Sequence, residues 1–73
     1  MSISKEIGAL LKLRGLRQSD LLEPLGMSSK QSLSNKFSNE RWSAEDLVKV
    51  ATVCGCDLVF ILPDGRQIKL GEE

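Results

Sequence analysis

Apolar residues recur through most of the chain at intervals of three and four, the spacing that keeps side chains on one face of a helix. Ile3, Ile7, Leu10 and Leu11 follow this rule while Lys5, Glu6 and Lys12 fall elsewhere. They predict an amphipathic helix over residues 3–13, capped by Ser2 and stopped by Gly15. A second apolar set, Leu21, Leu22 and Leu25, ends at Gly26 and predicts a short helix from about Gln18, with Ser19 and Asp20 serving the free amides of its first turn. Pro24 conflicts with a helix interior, because it lacks an N–H and crowds the preceding turn at a cost of about 3 kcal/mol. This second helix is therefore kinked or ends early. Ser28 or Ser29 opens a third helix, about residues 29–37, whose large apolar residues are Leu33 and Phe37; residues 39–42 read as a loop. Ser43, with Asp46 three positions on, forms an acidic version of a capping box ahead of a fourth helix. In that helix Leu47, Val50, Ala51 and Cys54 repeat until Gly55.

From Cys56 the period changes from helical to alternating. Leu58-Val59-Phe60-Ile61-Leu62 is rich in strand formers, Pro63-Asp64-Gly65 supplies a turn, and Ile68 and Leu70 alternate with Gln67 and Lys69. The expected fold is thus mainly α: four short helices plus a C-terminal β-hairpin, a single domain over residues 1–73 with its helical core at about 3–55 and its hairpin at about 56–70. Residues 71–73 are expected to fray. The first strand is apolar on both faces, whereas a hairpin lying on a helical layer needs only one. Either the first or fourth helix wraps both faces, or a second copy of the chain covers one. In the latter case Leu58, Phe60, Leu62 and Ile68 form a homodimer interface.

Composition narrows the chemistry. With 73 residues, 41% of them hydrophobic, there is room for one core and no second. The chain has neither His nor Tyr, so the commonest general base and zinc ligand are missing, a His-dependent triad is impossible, and an enzyme is not expected. No glycine-rich phosphate loop or ligand cluster calls for a cofactor or metal. Cys54 and Cys56 flank a single glycine, too close for an ordinary disulfide and too few for a closed zinc site. They read as reduced, partly buried small residues of a cytoplasmic protein. No apolar run reaches the roughly 18 residues of a membrane span, so no membrane partner is expected.

The formal charge is zero, yet its distribution is uneven. Lys5, Lys12, Arg14, Arg17, Lys30, Lys36 and Arg41 outnumber Glu6, Asp20, Glu23 and Glu40 over residues 1–42, and the remainder of the chain is acidic by the same margin. The third helix lies within the basic half. Setting Leu33 at zero and turning about 100° per residue puts Phe37 at about 40°, and Gln31 and Asn35 at about 160° and 200°, opposite the core stripe. Gln and Asn on one exposed face have the bidentate donor and acceptor geometry that reads adenine in a major groove, and the small Ser residues beside them permit close approach. The plainer reading is an ordinary polar helix face.

The run Leu16-Arg17-Gln18-Ser19-Asp20-Leu21-Leu22-Glu23-Pro24-Leu25-Gly26-Met27-Ser28, followed by Leu33-Ser34-Asn35-Lys36-Phe37, resembles the lambda-repressor-like helix-turn-helix family, also called the Xre family. Gln18, Leu25-Gly26, Ser28 or Ser29, and Leu33 occupy the family's motif positions. Arg17 stands where a capping Thr is usual, Pro24 where a helix former is usual, and the hairpin where a fifth helix often lies. The resemblance covers roughly residues 3–56. It implies a sequence-specific DNA-binding transcriptional regulator whose third helix enters the major groove of double-stranded DNA, acting as a homodimer on a two-fold site. Ser29, Lys30, Gln31 and Asn35 are then the base-contacting candidates, and Arg17, Gln18, Lys36, Asn39 and Arg41 the phosphate-contacting ones. Trp42 either stacks on nucleic acid or lids the core formed with Leu33, Phe37 and Leu47. A different class of function fits the neutral total charge and Pro24: a protein-interaction module, antitoxin-like or adaptor-like, that uses the same scaffold and hairpin without binding DNA.

Overall fold

A computed structural model of the chain describes residues 1–71. Its order is α1 (Ile3–Leu13), a 3-10 turn (Gln18–Leu21), α2 (Lys30–Asn39), α3 (Ala44–Val53), β1 (Val59–Ile61) and β2 (Gln67–Lys69). The mainly helical fold with a terminal antiparallel hairpin matches the hydrophobic pattern, but three helices form where four were expected.

The missing helix is the second one. Its residues make a 3-10 turn, then the bond from Leu25 N–H to the Leu21 carbonyl, and stop at Gly26. Pro24 has no N–H to give to Asp20, and a residue preceding proline, here Glu23, disfavours helical dihedrals. The segment therefore ends early.

Helix ends follow the sequence closely. Ser2, Ser29 and Ser43 cap α1, α2 and α3 through hydroxyls that accept from the amides of Lys5, Ser32 and Asp46. Ser29, not Ser28, thus opens α2, and the Ser43/Asp46 capping box forms as expected. Gly15, Gly26 and Gly55 each adopt positive φ and close paired terminal bonds, for instance Gly15 N–H to Lys12 and Leu16 N–H to Leu11. α2 runs two residues beyond the expected Phe37, taking in Ser38 and Asn39. It closes on Glu40, the one non-glycine residue with positive φ among those described, at 56°.

The core gathers Ile7 and Leu11 from α1, Leu21 from the 3-10 turn, Leu33 from α2, and Val50 and Cys54 from α3. Cys54 is fully buried, which raises its thiol pKa; the neighbouring Cys56 adds to the rise and Arg14 opposes it. Arg14 reaches across from the end of α1 to donate to the Cys54 carbonyl at 2.8 Å.

The hairpin pairs Val59 with Lys69, Phe60 with Ile68 and Ile61 with Gln67. Its three-residue loop is Pro63-Asp64-Gly65, with Gly65 N–H bonded to the Leu62 carbonyl and Gly65 at φ 90°. Only the base of the hairpin meets the helices. Leu58 and Leu70 line a cleft with Val48 and Ala51 of α3, and Leu58 also faces Ile3, Ile7 and Leu10 of α1. Beyond that base Phe60, Ile61 and Ile68 stand 63%, 66% and 58% exposed. Neither helix wraps the strands, and the molecule measures 41 × 27 × 23 Å. Of the segment expected to fray, Glu72 and Glu73 lie outside the described residues. No helix among the described residues is long and apolar enough to cross a membrane.

Candidate nucleic-acid interface

α2 is polar nearly all round. Leu33 is its one buried residue, 2% exposed, and Lys36 and Phe37 flank it half-buried. Every other residue of the helix is exposed, so the angular separation of Leu33 from Gln31 and Asn35 holds in three dimensions. The two amides meet on that outer face, where Gln31 Nε2 donates to Asn35 Oδ1 at 3.1 Å. Such an i, i+4 bond holds both side chains along the helix axis and limits the rotamers they would have to give up on binding. Lys30 sits at the first helical position, exposed and without a hydrogen bond or ion pair to any described residue. Ser29 is also exposed, but its hydroxyl is engaged at the cap, accepting from Ser32 N–H at 3.2 Å and bonded to Ser32 Oγ at 2.9 Å.

The C-terminal end of α2 adds a second group. Asn35, Lys36, Asn39 and Arg41 line one shallow cleft of about 330 Å³ with Met27 and Ser32. Arg41 is exposed, and its guanidinium has no partner among the described residues. Lys36 differs from the other candidates in what its ammonium does. It lies 2.7 Å from Asp46 Oδ2, donates to the Arg41 carbonyl at 2.9 Å, and rests 5.6 Å from the centre of the Trp42 ring. A side chain so committed, 19% exposed, ties α2 to α3 and is not displayed for a phosphate. The remaining two phosphate candidates lie elsewhere. Gln18 borders a separate hollow beside Gly8, Ala9 and Lys12 of α1, and Arg17 is exposed at the start of the 3-10 turn.

Trp42 belongs to the core boundary. Its ring meets Phe37 edge-on, with centroids 4.9 Å apart, and its Nε1 donates to Ser4 Oγ at 3.0 Å. Ser4 Oγ in turn donates to the Phe37 carbonyl at 2.6 Å. The lid reading of Trp42 is therefore the one the contacts favour.

Two acidic residues near α2 are engaged by the protein itself, and neither the partners of Glu40 nor the Lys36 partner of Asp46 was expected from the sequence. The Glu40 carboxylate accepts from the Ser2 hydroxyl at 2.6 Å and from the amides of Ile3 and Ser4, at the positive end of α1. The Ser2 bond is the largest influence; together with the Ser4 and Ile3 bonds it outweighs desolvation and holds the carboxyl below the ordinary glutamate value. For Asp46, desolvation is the largest single influence and acts upward, but Lys36 and the amide and hydroxyl of Ser43 together carry the value below the ordinary one. Asp20 likewise accepts from Arg17 N–H at 2.8 Å. The signal for Glu40 was available in the sequence as a gap: Gly ends every other helical segment, and none follows Asn39.

Electrostatically, the consequence is local. α2 carries two lysines and no acid, and the nearest carboxylates are consumed by helix amides or by Lys36. Lys30 and Arg41 remain as displayed cations at opposite ends of an exposed amide face. Of the hairpin candidates, Phe60 and Ile68 project into solvent, Leu62 is half-buried at the loop, and Leu58 is half-buried against residues of α1 and α3. Ile61, on the opposite face of the strand, is exposed as fully as Phe60 and was not among the candidates. The chain matches no protein-family model, no curated protein and no solved structure.

Proposed function

We propose that this chain is a sequence-specific DNA-binding transcriptional regulator of lambda-repressor-like type, a cytoplasmic homodimer in which the short 3-10 turn and α2 together take the place of a helix-turn-helix. The observation that carries the reading is the paired Gln31 and Asn35 on the solvent side of a helix whose opposite side is anchored by Leu33. In this reading α2 lies in the major groove, Gln31 and Asn35 meet base edges, and Lys30 and the Ser29 end enter first. Arg41 and Asn39 meet the backbone on one side of α2, and Arg17 and Gln18 on the other. Lys36, engaged by Asp46, ties α2 to α3 and is left out of the phosphate-contacting set. Selection from a pool of random duplexes tests the reading directly. A recovered consensus supports it, and the absence of any binding at low salt ends it.

The exposed hairpin favours a second reading. Phe60, Ile61 and Ile68 form an apolar projection of the kind that marks a protein contact, and a scaffold of this shape acting as an antitoxin or adaptor would need no DNA. Salt separates the two: phosphate contact makes affinity for duplex fall steeply with added salt.

A further inference from the structure

The hairpin is a two-stranded sheet with two open edges, and they differ in chemistry. Leu62 N–H bonds to the Arg66 carbonyl and Leu70 N–H to the Leu58 carbonyl. In an antiparallel ladder hydrogen-bonded and non-bonded pairs alternate. Phe60 and Ile68 are therefore a bonded pair, while Val59 and Ile61 turn their main-chain N–H and C=O groups outward from β1. Gln67 and Lys69 do the same from β2. The side chains along β1 are all apolar, whereas β2 carries Lys69, held to Asp57 at 3.3 Å, and the adjoining Arg66, held to Asp64 at 2.7 Å. Charged residues on an edge strand discourage pairing, and β1 has none.

We infer that a second copy of this chain pairs with the β1 edge, antiparallel, with Phe60 of the two copies facing each other across the two-fold axis. Of the registers the outward groups allow, this one keeps all of the pairing within the three residues of β1. Val59 lies opposite the partner's Ile61 and Ile61 opposite the partner's Val59, and each pair exchanges both main-chain hydrogen bonds. Phe60 then falls at the non-bonded position, where facing Cα atoms approach to about 4.5 Å and side chains touch most closely. Sliding by one residue would oppose outward groups to inward ones and lose the bonds. The assembly closes, because the charged β2 edges are all that remains at the rim of the four-stranded sheet. An axis normal to the sheet keeps the same face up in both copies, so the two helical bodies stand on one side of it. This deepens the homodimer reading but does not depend on DNA binding.

Paired substitutions test the edge and the register without DNA. In a Cys56→Ser background, Phe60→Cys should form a disulfide-linked dimer under mild oxidation. Ile68→Cys should not, since three strand spacings of about 4.8 Å separate the two copies of residue 68. Ile61→Pro removes an outward N–H and leaves the hairpin's own ladder intact, and should weaken self-association by about 30-fold in sedimentation. Gln67→Pro does the same to the other edge and should leave the dimer unchanged. Thermal melts report whether each variant folds. A wild-type chain that sediments as a monomer at tens of micromolar, a cross-link at residue 68 in place of residue 60, or dissociation by Gln67→Pro alone would overturn the assignment. Failure of duplex binding with the cross-links as expected would remove the regulator reading and leave this one standing.

Discussion

Glu40 holds a backbone conformation that costs most residues free energy, and its side chain makes the compensation visible. At φ 56° a residue with a Cβ is strained, and a glycine here would relieve that strain. The carboxylate, however, satisfies the first amides of α1 and so joins the start of one helix to the end of another. We expect Glu40→Ala, which keeps the strain and loses the cap, to lower the melting temperature more than Glu40→Gly, which loses both. Equal losses would show that the strain is absent. Because the folded-state pKa values of Glu40 and Asp46 are lowered, the unfolded chain binds more protons in acid. Their stabilisation is complete above the ordinary carboxylate values and drains away as pH falls through the lowered ones. The stability gap between wild type and Glu40→Gln should therefore close in acid, and denaturant melts across that range check it. Gln31 and Asn35 stand in contrast: both are exposed and neither touches the core. Replacing both with Ala should leave stability within about 0.5 kcal/mol while flattening sequence preference in a duplex-binding assay. A large loss of stability would mean that this face is buried.

At the scale of elements, capping decided how much was legible. Ser2 and Ser43 announced α1 and α3, and Gly15 and Gly55 announced their stops, because a short side-chain oxygen and a missing Cβ are local requirements that a sequence displays. The hairpin was equally plain, since alternation and the Pro-Asp-Gly turn act within a few residues. The second helix was not, because three leucines at helical spacing pull toward a helix while one proline withholds a donor. The ladder stops after a single 3-10 turn and one further bond. Pro24→Ala restores the donor, worth about 0.5–1.5 kcal/mol, and loosens the unfolded chain by about 0.4–1 kcal/mol. The two offset, so we expect little change in stability but new hydrogen-exchange protection at residue 24. Gly26→Ala has no such offset: a Cβ there meets nothing within 4 Å, yet φ of 67° makes the backbone alone costly, by about 1 kcal/mol. Lys36 marks the other limit of the sequence. Its place in the helical wheel gave a flank position, and only the packing of α2 on α3 revealed Asp46 as its partner.

For the whole molecule, the central feature is the separation of two surfaces. The helices bury a common core and present α2, whereas the hairpin leaves that body after Leu58 and carries its apolar residues into solvent. In the proposed function one surface enters a polar groove and the other meets a second copy of the chain. Phe60→Asp should therefore split the dimer in sedimentation while leaving the helical circular dichroism intact, because Phe60 is exposed and distant from the core residues. Loss of helicity would show instead that the hairpin supports the fold. In the proposed homodimer both copies engage phosphates on a two-fold site, so Arg41→Ala should reduce the slope of log affinity against log salt by roughly 0.9 for each phosphate contact it removes. The zero net charge predicts weak binding to random duplex, since little long-range attraction adds to the local cations.

The most direct test is a salt titration of binding to the best duplex recovered by selection, comparing the wild-type chain with the Gln31→Ala/Asn35→Ala variant. The account predicts affinity that falls steeply with salt for both proteins, with preference over random duplex kept by the wild type and lost by the variant. No binding by the wild type at low salt, or an unchanged preference in the variant, would contradict it.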